Sequence, residues 1–474
     1  MKKLCSIVLA LALTACLVFP AAAADITDPV VIDTGETVTI DNNIDVPKQS
    51  GFGSRALSVT NGSEVTVNGD VSISGFEAEA VFASEGTVTV NGNVSIPDGL
   101  GTVSVAAANG SEVTVNGDVS SSCVGVLAAG DSTVTVSGSV SSNNFSRDAV
   151  SANTGGRIIV EGDVQSATGT GVHADGGAVV IVEGSASAPK LNGVYLQGTG
   201  VARVGGDASG NVGIYTMSDA AGGAVVVEGE VSGTETDLAL WFYEGVAPAD
   251  VVVGSLANGT AEVHKNTGTF VDVTGDPAGE AVLKAVMYII TTDGVNVTSG
   301  GDTYENAALD AIYDVAREDD VLTVAVDKKD GYSLKSVDWG KYATVKKNGD
   351  GTYTVTVNRG GDLNFKAVFK PANSGRVAYG VGSKVRLGGA SFIITDIDDE
   401  GNWTVSATAP LTEEQLANLE AVLKGLLSEE QLEAVLAGED GSLCSLTDQA
   451  AADEFFGGDV NHLSFRCRSD ILNR

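Results

Sequence analysis

The side chains best suited to ligand binding are aromatic residues that recur at similar intervals. They are His173, Tyr195, Tyr215, Trp241, Phe242 and Tyr243. Aromatic residues make up only 5% of the chain, so their gathering in one region is a signal. A row of such rings can stack on sugar rings or anchor a protein partner. For the triplet 241–243 a structural role is the alternative, in which its rings cover the open end of a hydrophobic core and touch the next domain.

The same series extends towards the N-terminus with other residue types. Phe82, Ser104, Leu127 and Ser151 precede His173 at intervals of 22 to 24 residues. Successive side chains of a strand point to opposite faces, so one residue per repeat would form an outward column. The sequence therefore predicts a column that becomes aromatic from His173 onward.

Catalytic chemistry on a polysaccharide would need basic groups beside acidic ones, or paired carboxylates in a groove. Arg157 and Arg203 lie near Asp163, Asp207 and His173 in the frame of the repeat. They occupy ordinary repeat positions, however, and no long inserted loop would wall a cleft. A non-catalytic protein is the leading interpretation, and an enzyme stays open as an alternative.

No motif indicates a metal or a cofactor. A second set of polar residues falls where the repeat turns: Asn68, Asn91 and Asn116, and two positions further on Asp70, Asn93, Asp118, Ser139, Asp163, Ser185, Asp207 and Glu230. Asn and Asp suit tight corners and stacked amide ladders, which is the favoured interpretation over diffuse cation binding. The acidic stretch 396–401 imitates the start of an EF-hand, but the twelfth position is Ala407 instead of Glu.

The cysteines leave two alternatives open. Removal of an N-terminal signal would leave Cys123, Cys444 and Cys467. Cys444 and Cys467 share one C-terminal segment and could form a disulfide, with Cys123 as a small buried residue; alternatively all three are unpaired thiols.

The elements that would position these residues are repeats. The string NGSEVTVNGDVS stands at 61–72 and again at 109–120. Its pattern V-x-G-x-V places a glycine at Gly69, Gly92, Gly117, Gly138, Gly162, Gly184, Gly206 and Gly229. The period is near 23 residues, and weaker copies around Asn42 and Gly254 bring the total to about ten units. Each unit holds short alternating strands and glycine turns, and it is too small to bury a core unless it stacks on its neighbours.

These features resemble the right-handed parallel β-helix of pectate-lyase-like and surface-adhesin proteins. We therefore predict a mainly β protein with a parallel β-helix over residues 25–265. The resemblance implies a tube whose valines face inward and whose coils lie one above another.

Two further segments follow the repeats. Residues 276–370 alternate strands with DG, NGDG and GGD turns, and their Trp339, GTYTVTV (351–357) and GGDLNFKAVF (360–369) resemble the internalin-type B repeat of bacterial surface proteins. That resemblance implies a spacer or contact module. Residues 376–474 are predicted to form a small α+β domain. It contains the only helical pattern of the mature chain, at 412–438, in which capping boxes at 412–415 and 428–431 mark two helix starts.

The N-terminal targeting segment and the net charge limit the possible locations and partners of the protein. Residues 1–24 have the basic start, apolar run and small-residue site of a secretory signal peptide; lipidation at Cys16 is the alternative. The formal charge of −35 disfavours nucleic acid and anionic membranes as partners, and no later stretch could span a bilayer.

The sequence thus predicts a secreted or cell-surface bacterial adhesin that binds a polysaccharide or a surface protein. The two alternatives are a polysaccharide lyase or glycoside hydrolase on the β-helix, and a structural stalk that presents the C-terminal domain. The oligomeric state is open.

Overall fold

The computed structural model describes residues 24–49, 53–100, 102–143, 147–219, 222–266, 270–272, 276–329, 332–371, 380–387, 389–397, 402–409, 412, 414–415, 418, 444–446 and 464–468. Two compact units divide the chain: residues 1–330 with 334–370, and residues 331–333 with 371–474. The predicted signal peptide lies outside the described residues, apart from Ala24. Among the described residues, no helix has the length and apolar character needed to cross a membrane.

Parallel strands make up the first part of the chain. Their bounds are β1 Val30–Ile32, β2 Thr37–Ile40, β3 Ile44–Gln49, β4 Arg55–Thr60, β5 Glu64–Val67, β6 Val71–Gly75, β7 Glu79–Ser84, β8 Thr87–Val90, β9 Val94–Ile96, β10 Val103–Ala108, β11 Glu112–Val115, β12 Val119–Ser121, β13 Val124–Ala129, β14 Thr133–Val136, β15 Val140–Ser142, β16 Val150–Asn153, β17 Arg157–Val160, β18 Val164–Ser166, β19 Val172–Ala174, β20 Val179–Val182, β21 Ala186–Gln197, β22 Val201–Val204, β23 Ala208–Ser218, β24 Ala224–Tyr243, β25 Asp250–Leu256 and β26 Ala261–Asn266.

These strands wind into a parallel β-solenoid of about nine turns, close to the ten that the repeat predicts. A first face stacks β2, β5, β8, β11, β14, β17, β20, β22, the start of β24 and β25. A second face begins with β3, β6 and β9, and a third with β1, β4 and β7. Val65, Val88, Val113 and Val134 pair in register and are buried, so the two copies of the duplicated string lie two coils apart.

The repeated glycine is required by close approach of the coils at one corner. A Cβ on Gly92 would clash with Oδ1 of Asp70 and would lie 2.6 Å from the carbonyl oxygen of Gly69. The same polar side chain then bonds the next coil, because the backbone N–H of Asn93 donates to Oδ1 of Asp70 at 2.7 Å. The pattern repeats along the solenoid at residues 70, 93, 118, 139, 163, 185, 207 and 230.

A second ladder of side-chain amides runs beside it. Nδ2 of Asn91 donates to Oδ1 of Asn68 at 2.7 Å, and Nδ2 of Asn116 donates to Oδ1 of Asn91 at 2.7 Å. The predicted corner and amide-ladder roles are therefore confirmed for these positions.

The rest of the first unit holds a short hairpin strand, a helix and further strands, most of them paired antiparallel, whereas β28 pairs in parallel with β25 and β36. The bounds are β27 Phe270–Asp272, α1 Pro277–Lys284, β28 Met287–Asp293, β29 Val295–Ser299, β30 Asp302–Asn306, β31 Ala311–Arg317, β32 Val321–Val326, β33 Tyr332–Asp338, β34 Ala343–Lys347, β35 Tyr353–Val357 and β36 Leu363–Pro371. Helix α1 differs from the sequence prediction, which places the only helical pattern of the mature chain at 412–438. Its start carries ordinary signals: Asp276 caps it by accepting from the N–H of Ala278 at 2.7 Å, and Pro277 opens its first turn.

Strands β28, β30 and β31 pack against the first face of the solenoid. The outward column of that face reads Thr66, Thr89, Thr114 and Thr135, then becomes Ile159, Ile181, Arg203, Val226 and Val252. Ile181, Val226 and Val252 share a buried cluster with Met287 and Val315. Solenoid and downstream strands therefore bury one continuous apolar surface.

The second unit is described in part. It holds an antiparallel sheet of β37 Lys384–Leu387, β38 Ala390–Ile397, β39 Asn402–Ala407, β40 Cys444–Leu446 and β41 Ser464–Arg468. The backbone N–H of Gln415 donates to Oγ1 of Thr412 at 3.3 Å and Oε1 of Gln415 accepts from the N–H of Thr412 at 3.0 Å, so the first capping box is confirmed. The rest of the helical pattern lies outside the described residues. Cys444 pairs directly with Cys467 across β40 and β41.

Candidate aromatic ladder

Five rings form a continuous row along the third face of the solenoid, which we call the aromatic ladder. It consists of His173, Tyr195, Tyr215, Trp241 and His264. Successive ring centroids lie 4.6, 5.4, 6.1 and 4.1 Å apart. The three predicted residues His173, Tyr195 and Tyr215 and the predicted Trp241 are thus brought together.

Strand register explains the order of the rings. His173 on β19 pairs with Tyr195 on β21, which pairs with Tyr215 on β23. The residue opposite Tyr215 on β24 is the small Ala239, and Trp241 reaches the ladder from two positions further along that strand. Diagonal neighbours at this offset lie within reach of large aromatic side chains.

His264 belongs to the ladder although the sequence analysis did not select it. It pairs with Trp241 across β24 and β26, and their rings stack at an interplanar angle of 14°. The signal was present, because His264 follows Trp241 by 23 residues, one repeat period. The sequence analysis ends the series at the triplet 241–243.

The rings lie mostly face to face with one another. His173 and Tyr195 stack at 24° and Tyr215 and Trp241 at 27°, whereas Tyr195 and Tyr215 meet edge to face at 66°. Stacking occupies much of the ring faces, so the ladder presents ring edges and the tyrosine hydroxyls more than a flat strip of faces. The stacking is interrupted at the Tyr195–Tyr215 step.

The other two members of the predicted triplet have different surroundings. Phe242 packs against the hydrophobic core, as the structural alternative for the triplet requires. Tyr243 is 39% exposed at the end of β24. Beside it, Nζ of Lys265 lies 3.3 Å from Oε1 of Glu244.

The column before His173 differs from its prediction at one position. Ala106, and not Ser104, pairs with Phe82 and Leu127, while Ser104 is fully buried. The extra residues between β9 and β10 shift the register relative to the average repeat. Phe82 carries the guanidinium of Arg55 over its ring, 3.3 Å from the centroid.

Carboxylates line the ladder. Oδ2 of Asp148 lies 2.8 Å from Nδ1 of His173, and Oε2 of Glu262 lies 3.2 Å from Nε2 of His264. The hydroxyl of Tyr195 donates to Oε1 of Gln197 at 3.1 Å. Each end of the ladder thus carries a histidine next to an acid.

Two further carboxylates converge beside the middle of the ladder. A Cβ on Gly198 would lie 2.9 Å from Oδ1 of Asp219 and 3.4 Å from Oδ1 of Asp175, so both oxygens approach one glycine from neighbouring coils. We call Asp175 and Asp219 the acidic pair. Burial raises the pKa of Tyr195 to about 12, with smaller contributions from Tyr215 and from the negative charges of Asp175, Asp148 and Asp219.

The arginines considered for catalysis lie on a different face. Arg203 reaches Oε1 of Glu183 at 3.0 Å and Oε1 of Glu228 at 2.8 Å, and its Nε donates to the hydroxyl of Tyr313 at 3.2 Å. Arg157 donates to the carbonyl oxygen of Ala308 at 3.3 Å. Both therefore join the solenoid to the strands that cover its first face.

No cluster of three or more metal-ligating side chains occurs within the described part of the chain. A scan of protein-family models, a search of curated proteins and a search of solved structures each found no match to this chain.

Proposed function

We propose that this protein is a secreted, non-catalytic recognition protein that binds an elongated polysaccharide along the aromatic ladder. The observation that carries the proposal is the ladder itself: five half-buried rings in one row on one face of the solenoid. Export is supported by the signal-like segment 1–24, and an adhesin role by the two resemblances stated above.

The ladder suits a linear polymer because both are periodic along one axis. Adjacent strands of a sheet lie ~4.8 Å apart, a length similar to the advance of one sugar unit in an extended chain. Ring edges and tyrosine hydroxyls can contact sugar carbons and hydroxyls, while carboxylates accept hydrogen bonds from sugar hydroxyls. Holding the rings on paired strands limits the conformational entropy lost on binding.

The experiment is retention of residues 25–474 on a panel of plant, mucin and bacterial polysaccharides, with released oligosaccharides measured in parallel. We expect retention without cleavage, and loss of retention in a Tyr195→Ala/Tyr215→Ala double variant. Phe76→Ala, which removes an aromatic side chain that is 42% exposed elsewhere on the solenoid, is the matched control and should retain binding.

Released products would overturn the non-catalytic proposal. Unchanged retention in the double variant would move the binding surface away from the ladder. Absence of retention on every polysaccharide would favour a protein partner or a stalk that presents the C-terminal segment.

A further inference from the structure

The first and last parts of the first unit carry opposite charge. Residues 25–47, which contain β1, β2 and the start of β3, hold six acidic side chains and no lysine or arginine. Residues 334–370 hold seven basic and three acidic side chains, although the whole chain has a formal charge of −35. The charge at one end of a copy is therefore complementary to the charge at the other end of a second copy.

Two strands of the first coil have a free edge. Within the described residues, β1 pairs only with β4 and β2 only with β5. The N–H of Glu64 donates to the carbonyl oxygen of Glu36 at 2.9 Å. Bonding residues alternate along a strand, so the backbone groups of Thr37 and Thr39 point away from β5. The first coil therefore offers an edge to which another strand can add.

A second free edge belongs to β34. This strand stands at the end of a four-stranded sheet and pairs there with β35. The N–H of Asn358 donates to the carbonyl oxygen of Tyr342 at 3.0 Å. By the alternation of an antiparallel pair, the backbone groups of Ala343, Val345 and Lys347 then point away from β35. Strand β34 can therefore also accept another strand.

The two free edges lie far apart in one chain. Nζ of Lys341 and the hydroxyl of Tyr342 each donate at 2.9 Å to the carbonyl oxygen of Ala257, the residue after β25. Nine strand-to-strand steps of about 4.8 Å separate β2 from β25 on the first face, a distance of about 40 Å. The five residues of β34 span only about 17 Å, so β34 cannot pair with β2 of its own chain.

Charged side chains stand beside both edges. Lys346 and Lys347 at the end of β34 are exposed, as are Glu36 and Asp41, which flank β2. Within the described residues, the lysines in ion pairs are Lys265, Lys284 and Lys366. Whichever direction the two strands take, the lysine end of β34 lies next to one of the two acids that flank β2.

We propose that the free edge of β34 receives the free edge of β2 from a second copy, so that copies of this protein join head to tail. This inference does not depend on polysaccharide binding. The contact uses different surfaces on the two copies, so it can repeat along a row. A short strand addition with a few ion pairs buries little surface, so the association is weak and depends on concentration and salt.

Sedimentation velocity of residues 25–474 at low ionic strength, over a range of protein concentrations, tests the contact. We expect the sedimentation coefficient to rise with concentration. The rise should weaken strongly in ~0.5 M NaCl, because salt screens exposed charges. A coefficient that stays that of a monomer at every concentration would overturn the inference.

Two charge-reversed variants and their mixture identify the surfaces. Lys346→Glu/Lys347→Glu and Glu36→Lys/Asp41→Lys should each weaken association at least about tenfold, because each gives the two edges the same charge. An equimolar mixture of the two variants should associate again, because β34 of one variant then meets a β2 edge of opposite charge on the other. Recovery in the mixture also shows that both variants are folded.

A matched variant controls for total charge. Lys335→Glu/Lys370→Glu makes the same change of charge at exposed positions on β33 and β36 and should leave association unchanged. An equal loss in this control would mean nonspecific attraction between charged proteins and would overturn the inference. Unchanged association in either edge variant, or no recovery in the mixture, would overturn it as well.

Discussion

At the residue scale, the glycine of the V-x-G-x-V pattern allows neighbouring coils to approach each other closely at one corner of the solenoid. Gly92→Ala would force a methyl group against the Gly69 carbonyl and the Asp70 side chain, which bonds the next coil. We expect a loss of about 1–3 kcal/mol in the free energy of unfolding, measured by urea denaturation. Gly349→Ala, where no atom lies within 4 Å of the new Cβ, should change it by less than about 0.5 kcal/mol. Equal effects would show that the corner can relax.

The ionisation of Tyr195 reports on its place within the ladder. Its pKa is raised from 10.0 to about 12 by burial, so the folded state keeps the phenol protonated where the unfolded chain would ionise it. The native state then binds more protons, and stability should fall as pH rises from about 10 to about 12. Ultraviolet titration of the wild type should show a late-ionising tyrosine that Tyr195→Phe removes, although Tyr313, also raised to about 12, remains. Ionisation near pH 10 would contradict this burial.

At the element scale, the downstream strands depend on the apolar part of the first face. Val226 is fully buried against the cluster that holds Met287 and Val315. Val226→Thr keeps the shape but buries a hydroxyl, and it should cost about 1–3 kcal/mol in urea denaturation. The reverse change Thr114→Val lies in the half-buried part of the same column. It should change the free energy of unfolding little. Similar costs at both positions would argue against this docking surface.

The pairing of β40 with β41 supports the disulfide that the sequence left as one of two alternatives. The backbone register places Cys444 directly opposite Cys467, and the disulfide between them stays a prediction. We expect that alkylation of the exported, denatured protein without reduction modifies Cys123 alone, and that reduction exposes two more thiols to mass spectrometry. Modification of all three cysteines before reduction would favour unpaired thiols.

At the scale of the whole molecule, the sequence predicts the repeated coils but not the contacts between segments that are distant in sequence. The V-x-G-x-V spacing is enough to place the valine core and the polar corners, because each coil contacts mainly its neighbours. Docking of the strands around Met287 and Val315 was not predicted, since its partners are distant in sequence. The change from Thr135 to Ile159 and Ile181 in an outward column was nevertheless a visible sign of a covered surface.

In the candidate site too, the sequence predicts the features that recur with the repeat and not the others. Regular spacing identified His173, Tyr195 and Tyr215, and extending it by one period would have found His264. The approach of Asp175 and Asp219 to Gly198 could not be predicted, because the two acids follow their rings at different offsets in the sequence. Periodicity also did not reveal that the rings would stack on one another.

Recognition along the whole ladder predicts a dependence on ligand length. Calorimetric titration with glycan oligomers of increasing length is the most direct measurement, because each added sugar should reach another ring. We expect affinity to rise until the oligomer spans about five sugar units and then to level off. The Tyr195→Ala variant interrupts the row of rings, so its affinity should stop rising at shorter oligomers. The Phe76→Ala variant should show the same dependence of affinity on length as the wild type. Affinity that does not depend on length, or that is the same in Tyr195→Ala, would contradict recognition along the aromatic ladder.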